Sequence, residues 1–234
     1  MSELVFEGGG RTRELEIVRR PGTRAMRLSV DPRDASVRLS MPPRAALRPA
    51  LAWAATKRGW VEAQLAKLPT PQPIVPGMVF ELMGQKVRLE WSPHHPRSPR
   101  LVDGSLHTGG PLESLASRVT RWLKAEALRV FDAETRQLCA VHNLPLTTVQ
   151  VGDPRGRWGS CSSSGAIRYS WRLILAPADV LRATVAHEVA HLTHLDHSPA
   201  FHAEVARLYG KAPAAERRWL KSHGTALHWF GRVA

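Results

Sequence analysis

Arg182-Ala-Thr-Val-Ala-His187-Glu188-Val-Ala-His191-Leu-Thr-His194-Leu-Asp-His197-Ser-Pro-Ala-Phe201 is the stretch from which the rest of this chain is best read. On an α-helix His187 and His191, four residues apart, project from one face, so two imidazole nitrogens can reach one ion. A helix is expected here. Pro177 suits the first turn, Asp179 sets a negative charge near the helix N-terminus, and residues 180–192 contain neither Gly nor Pro. Glu188, beside the first histidine, flanks the ion without needing to bind it, and can take a proton from a water that the ion holds. This is the HExxH arrangement of zinc hydrolases.

A catalytic zinc usually takes three protein ligands and keeps one position for water. His197 is the expected third ligand, because Asp196, Ser198 and Pro199 break the helix and let the chain turn back. His194, on a continuing helix, would be displaced by about 4.5 Å along the axis from His191 and would overshoot the ion. His202 falls beside Phe201 on the next helix. Both are expected at the surface or as outer neighbours of the site, with His202 able to orient a ligand. The spacing HExxHxxxxxH equals that of the metzincins, but His194 stands where they carry Gly, and no Met follows to form a Met-turn. An amphipathic helix with incidental histidines would need the motif, the helix signals and the downstream histidine to coincide by chance.

The 234 residues, 43% of them hydrophobic and eight of them Trp, suffice for one substantial core with a smaller companion, and exclude a disordered tail. The formal charge of +13 attracts phosphate, acidic protein or anionic membrane. Arginines are spread from Arg11 to Arg232 with no compact basic run or stacking motif, so the charge reads equally as a solvated arginine-rich surface or as nucleic-acid contact. Two cysteines, Cys139 and Cys161, are too few for a disulfide scaffold and fit a reducing compartment. The first residues show no basic region followed by an apolar core, and no run reaches the length of a membrane span. A soluble, cytoplasmic protein without membrane partners is expected.

Residues 4–6, 14–18, 26–30 and 37–41 alternate apolar and polar side chains between turn signals, and read as an antiparallel meander. Residues 44–68 read as one Ala-rich helix, with Trp53 and Trp60 as packing residues. Pro69-Thr-Pro-Gln-Pro is the clearest linker. Residues 78–82, 85–91, 99–101 and 105–107 suggest a second set of strands, with turns at Gly84 and Asp103-Gly104, and the His94-His95 run is expected to be an ordinary polar loop. A long amphipathic helix over 112–139 opens the half that carries the site. The fold class is α+β, divided into a β-rich region with a helix over 1–70, a β-rich connection over 71–111 and a catalytic part over 112–234. No internal repeat is visible.

Between the long helix and the site lies Arg157-Trp158-Gly159-Ser160-Cys161-Ser162, followed by a strand over 166–170. Gly and Ser permit close backbone approach, and an extended edge beside a metal can pair with a peptide by strand addition. Cys161 reads as a small structural residue, since no partner Cys is near and three histidines are already at hand.

Arg157-Trp158-Gly159-Ser160-Cys161-Ser162, Trp171-Arg172-Leu173-Ile174, Pro177, His187-Glu188-x-x-His191 and His197-Ser198-x-x-Phe201 together resemble the YgjP-like metallopeptidase family of bacteria, related in its zinc helix to SprT-like and WLM proteases. Arg24-Ala-Met-Arg-Leu-Ser-Val is similar to that family's opening strand. The resemblance implies a zincin-like metallopeptidase core behind a small β-rich N-terminal region, with His187, His191 and His197 holding Zn2+ and Glu188 as the base. One departure is His202, where the family commonly has Trp. The expected activity is zinc-dependent hydrolysis of peptide bonds in a peptide or protein substrate. Two alternatives stand beside it: an SprT-like protease acting on nucleic-acid-associated proteins, and a noncatalytic zinc-stabilised binding module. Arg157 and the backbone near Ser160 are candidates for stabilising the oxyanion.

Overall fold

A computed structural model describes residues 4–233, which separate into two compact units, one comprising the residues up to Pro71 together with Val233 and the other running from Gln72 to Arg232. The β-rich stretch expected as a separate connection over 71–111 lies in the same unit as the helices of the site.

In the N-terminal unit four strands, β1 (Val5–Gly8), β2 (Arg11–Arg19), β3 (Arg27–Val30) and β4 (Val37–Met41), are followed by helices α1 (Leu47–Thr56) and α2 (Arg58–Ala66). Alternation sets the facing of β4: Val37, Leu39 and Met41 have no exposed surface, and Leu39 and Met41 pack with Ala50 and Ala54 of α1. The sheet is not a meander. Its order is β1-β2-β4-β3, with β2 and β4 parallel from Leu15↔Val37 to Arg19↔Met41 and β3 antiparallel on the far side of β4. Alternation reports which side chains face inward and is silent about which strand lies alongside. The chain between β2 and β3 is too long for a tight hairpin and serves as a crossover instead. The single helix expected over 44–68 is interrupted at Lys57, whose backbone leaves the helical region. Trp53 is partly buried against the α1 core, but Trp60 is 47% exposed and does not pack as expected.

The C-terminal unit opens on β5 (Val79–Leu82), β6 (Gln85–Trp91), β7 (Arg100–Val102) and β8 (Ser105–Thr108) in the order β5-β6-β8-β7, again with the second and fourth strands parallel. The two sheets thus share one topology although their sequences show no repeat. Helix α3 (Leu115–Val141) buries Leu115, Val119, Leu123, Ala127, Phe131 and Thr135, a stripe spaced by four that faces a second sheet. That sheet comprises β9 (Thr148–Gly152), β10 (Gly159–Cys161) and β11 (Ala166–Ser170) in the order β10-β11-β9, which leaves β10 at an edge. Phe131 of α3 stacks on Tyr169 of β11 at 4.3 Å between ring centroids, and Thr135 Oγ1 lies 3.0 Å from the Tyr169 hydroxyl. Burial pushes that phenol well above its ordinary range, with the hydrogen bond to Thr135 acting against it, so Tyr169 stays neutral.

A 3-10 turn over Trp171–Leu175 leads into α4 (Ala178–Ala190), and α5 (Pro199–Tyr209) and α6 (Ala214–Leu227) follow. Pro177 occupies the cap position before α4 rather than its first turn, and Asp179 lies in that first turn. Helix α4 is buried nearly all round, from Val180 and Leu181 to Val189 and Ala190, as expected of an element covered on several sides.

Arg172, 8% exposed, ties the unit together. Its Nε and Nη2 donate to Asp153 Oδ1 and Oδ2 at 2.7 and 3.0 Å, and its Nη1 donates to the carbonyls of Leu227 and Phe230 at 2.9 and 3.2 Å. Burial alone would raise the Asp153 carboxyl, but the hydrogen bond and charge of Arg172 hold it below the usual range. A depressed folded-state pKa means that this contribution is present above the unfolded value near 3.9 and is lost as pH falls through the lower folded value. Arg172→Met should therefore cost about 2 to 4 kcal/mol in urea unfolding at neutral pH. It should also flatten the loss of stability below about pH 4. A midpoint unchanged from the parent would show that the clamp contributes nothing.

Candidate metal centre

His187 lies in the last turn of α4, and His191 caps it with helical backbone angles, so the two project together as the four-residue spacing requires. The chain then leaves the helix. The N–H groups of Thr193 and His194 donate to Ala190 O at 3.2 and 3.0 Å, and Asp196 Oδ1 accepts from Ser198 N–H at 3.2 Å. Ser198 Oγ accepts from Phe201 N–H at 3.4 Å and caps α5, with Pro199 at its first position. These two turns carry His197 back over α4, where its Nε2 lies 3.3 Å from His187 Nε2.

His187, His191 and His197 each bring one ring nitrogen within 4.8 Å of the others. Tetrahedral coordination at about 2.0–2.1 Å per nitrogen places neighbouring nitrogens about 3.4 Å apart, which the pair of His187 and His197 already matches. His191 Nδ1 lies 2.9 Å from His194 O, and donation to that carbonyl leaves Nε2 as the nitrogen free to bind. Burial, and then the neighbouring His191 and His197, push His187 down to about 4, so its lone pair is available at neutral pH. The donor set can hold a divalent metal ion.

Phe201 forms the floor. It has no exposed surface and meets all three rings: stacked on His191 at 4.5 Å, and edgewise to His187 at 4.9 Å and His197 at 4.8 Å. The sequence places Phe201 on the helix after the site and in the motif His197-Ser198-x-x-Phe201, without assigning it this contact with all three rings. The signal that could have revealed it is its place at the head of the apolar stripe Phe201, Val205 and Leu208, which α5 buries directly after the loop that carries His197. His194 contributes its carbonyl and not its ring. His202 is exposed, its ring centroid is 6.4 Å from that of His197, and it makes no hydrogen bond to the three histidines.

Glu188 is 5% exposed and faces the same cleft. Burial raises its carboxyl to about 7, with the charge of Arg157 pulling the other way. Its side chain lies flat against Gly159 of β10. A Cβ built there would fall 2.4 Å from Glu188 Oε1 and 2.6 Å from Cδ, closer than real atoms approach. The glycine in Trp158-Gly159-Ser160 is thus the space into which the carboxylate fits. Trp158 in turn lies against Gly224 of α6, where an added Cβ would come within 2.7 Å of its ring.

The cleft holds about 510 Å³. Gly159, Ser160 and Cys161 of the edge strand form one wall, Arg217 and Leu220 of α6 the other, and α4 lies between them. Burial first, and then the charge of Glu188, push the Cys161 thiol up to about 11, so it stays protonated and is no nucleophile. Arg157 lines the cleft, as does the backbone around Ser160.

No curated protein and no solved structure matches the chain. The YgjP-like metallopeptidase domain matches residues 24–223, which include both HExxH histidines, His197, and the Trp158-Gly159 wall of the cleft. With most of its length matched and its three imidazoles converging beside the HExxH glutamate, the chain belongs to the YgjP-like metallopeptidase domain family.

Proposed function

We propose that the chain is a zinc-dependent peptidase in which His187, His191 and His197 hold the ion and Glu188 is the base. The observation that carries this reading is the convergence of three imidazoles and a buried carboxyl at one cleft whose wall is a sheet edge. When bound, the ion supplies Lewis acidity, polarising a carbonyl and acidifying water. Glu188, lifted by burial into the range where it accepts and returns protons readily, takes the proton from the attacking water at its carboxylate. It then passes that proton to the leaving amine. Strand β10 offers the unpaired side of its backbone to an extended peptide, which would align the scissile bond across the cleft. Phe201 fixes the ring planes and the His194 carbonyl fixes the tautomer of His191.

A purely structural zinc site is normally closed by four protein ligands. Among the described residues this set has three members, and the remaining direction faces an open cleft with Glu188 on it, which supports catalysis over a binding module.

The parent protein is expected to carry about one zinc per chain by elemental analysis. Replacing His187, His191 or His197 by Ala should lower zinc affinity by more than about 100-fold, whereas His194→Ala, which keeps the carbonyl that His191 uses, and His202→Ala should change it far less. Unchanged zinc content in His197→Ala would reject the ligand set.

Glu188→Gln should retain the metal and lose about 10²- to 10⁴-fold in cleavage of an unfolded protein substrate, since the amide cannot take the proton. Parental activity in that variant would return the binding-module reading.

Gly159→Ala should keep zinc but displace the Glu188 carboxylate, lowering kcat by about tenfold or more with little change in KM. Equal kcat in the two proteins would show that the close approach to Gly159 does not position Glu188.

A further inference from the structure

The arginines of the N-terminal unit are dispersed in the sequence, and the strand pairing gathers six of them. No Asp or Glu occurs between Glu16 and Asp31, or between Asp34 and Glu62. Because β2 and β4 run parallel and β3 returns antiparallel, the end of β2, the start of β3 and the end of β4 lie at one end of the sheet, where Arg19 pairs with Met41 and Arg27 with Ser40. Arg20 N–H donates to Met41 O at 3.1 Å, and Arg19 Nη1 donates to Pro43 O and Ala45 O at 2.5 and 2.9 Å, which draws in the loop that bears Arg44. Arg24 sits in the crossover between β2 and β3, and Arg48 in the first turn of α1. The carboxylates Asp31 and Asp34 belong to the β3–β4 connection at the opposite end.

Arg20, Arg24, Arg27, Arg44 and Arg48 are exposed, and among the described residues none has an ion-pair partner. Where carboxylates are within reach in this chain, arginines take them: Arg38 with Glu16 at 2.6 Å, Arg136 with Asp132 at 2.8 Å, Arg207 with Glu204 at 2.7 Å. A surface that merely solvates the fold would be expected to show the same mixing here.

We infer that this end of the N-terminal sheet is a docking surface for the phosphate backbone of duplex nucleic acid. Three neighbouring strands span about 10 Å, and a duplex strand carries a phosphate every 3.4 Å or so, so about three phosphates face the edge formed by β2, β4 and β3. Guanidinium forks match phosphate oxygens in pairs, and these five are free to do so. An anionic membrane would also call for side chains that enter the acyl boundary. Residues 17–30 and 42–48 expose Ile17 and Met26 but no Trp, Phe or Leu. The surface belongs to the unit that lacks the metal centre, so the inference does not rest on the peptidase reading.

The test is fluorescence anisotropy of the full chain with a labelled duplex of arbitrary sequence, titrated at salt concentrations from about 50 to 200 mM, where each phosphate contact adds about 0.9 to the slope of log K against log salt. The variant carrying Arg20→Gln, Arg24→Gln, Arg27→Gln and Arg44→Gln should lower the magnitude of that slope by about 3 and weaken binding at low salt by more than about tenfold. The same four changed to Lys should retain the slope, which separates lost charge from lost fold. Arg100→Gln, Arg121→Gln, Arg168→Gln and Arg218→Gln together remove equal charge from the other unit and should leave the slope within about 1 of the parent. Equal loss from the two glutamine sets, undiminished binding in the first, or binding by the parent to phosphatidylserine vesicles and not to duplex would each overturn the inference.

Discussion

The seating of Phe201 beneath the three imidazoles is the contact on which the rest of this structure depends. Two of the rings come from a helix and the third from the loop that follows it. Nothing in the backbone of α4 obliges that loop to come back, and the aromatic ring supplies the surface against which all three settle. Its own position is held by the Ser198 cap at the start of α5, so a hydroxyl and a proline decide where a metal-binding geometry can form. The polar part of the centre is carried on an apolar contact.

A second constraint acts across the cleft. Glu188 is buried deeply enough to hold a proton near neutrality and is open enough to face the cavity, and both follow from its packing against a residue without a side chain. The same economy recurs where Trp158 rests on Gly224, so two glycines at opposite walls let β10 and α6 approach the aromatic and acidic groups between them. Burial of the carboxyl costs stability, and the surrounding core of α3, α4 and the second sheet supplies the compensation.

The histidines and the glutamate were legible in the sequence because a helix converts spacing into direction, and every residue between Pro177 and His191 agreed with a helix. Strands were legible for the same reason, since alternation marks the inward face of Val37, Leu39 and Met41. What could not be read was anything that depends on which elements become neighbours. The parallel pairing of β2 with β4, the gathering of Arg20, Arg27 and Arg44, and the contact of Gly159 with Glu188 join residues far apart in the chain, and no local periodicity encodes them. Trp60 misled for a related reason: a large apolar side chain is usually covered, but helical spacing alone does not say by what.

The closure of the C-terminal unit has one more consequence. Gln72 bridges Phe230, its N–H donating to Trp229 O at 3.0 Å and its carbonyl accepting from Gly231 N–H at 2.8 Å, while Arg172 holds Leu227 and Phe230 from beneath. The unit's entry and exit are therefore side by side. A body whose ends meet can be circularly permuted, or spliced as an insertion into the loop of an unrelated scaffold, with little disturbance to its core. The histidine cluster and its cleft are portable in that sense: the path of the chain through the unit comes back to where it began.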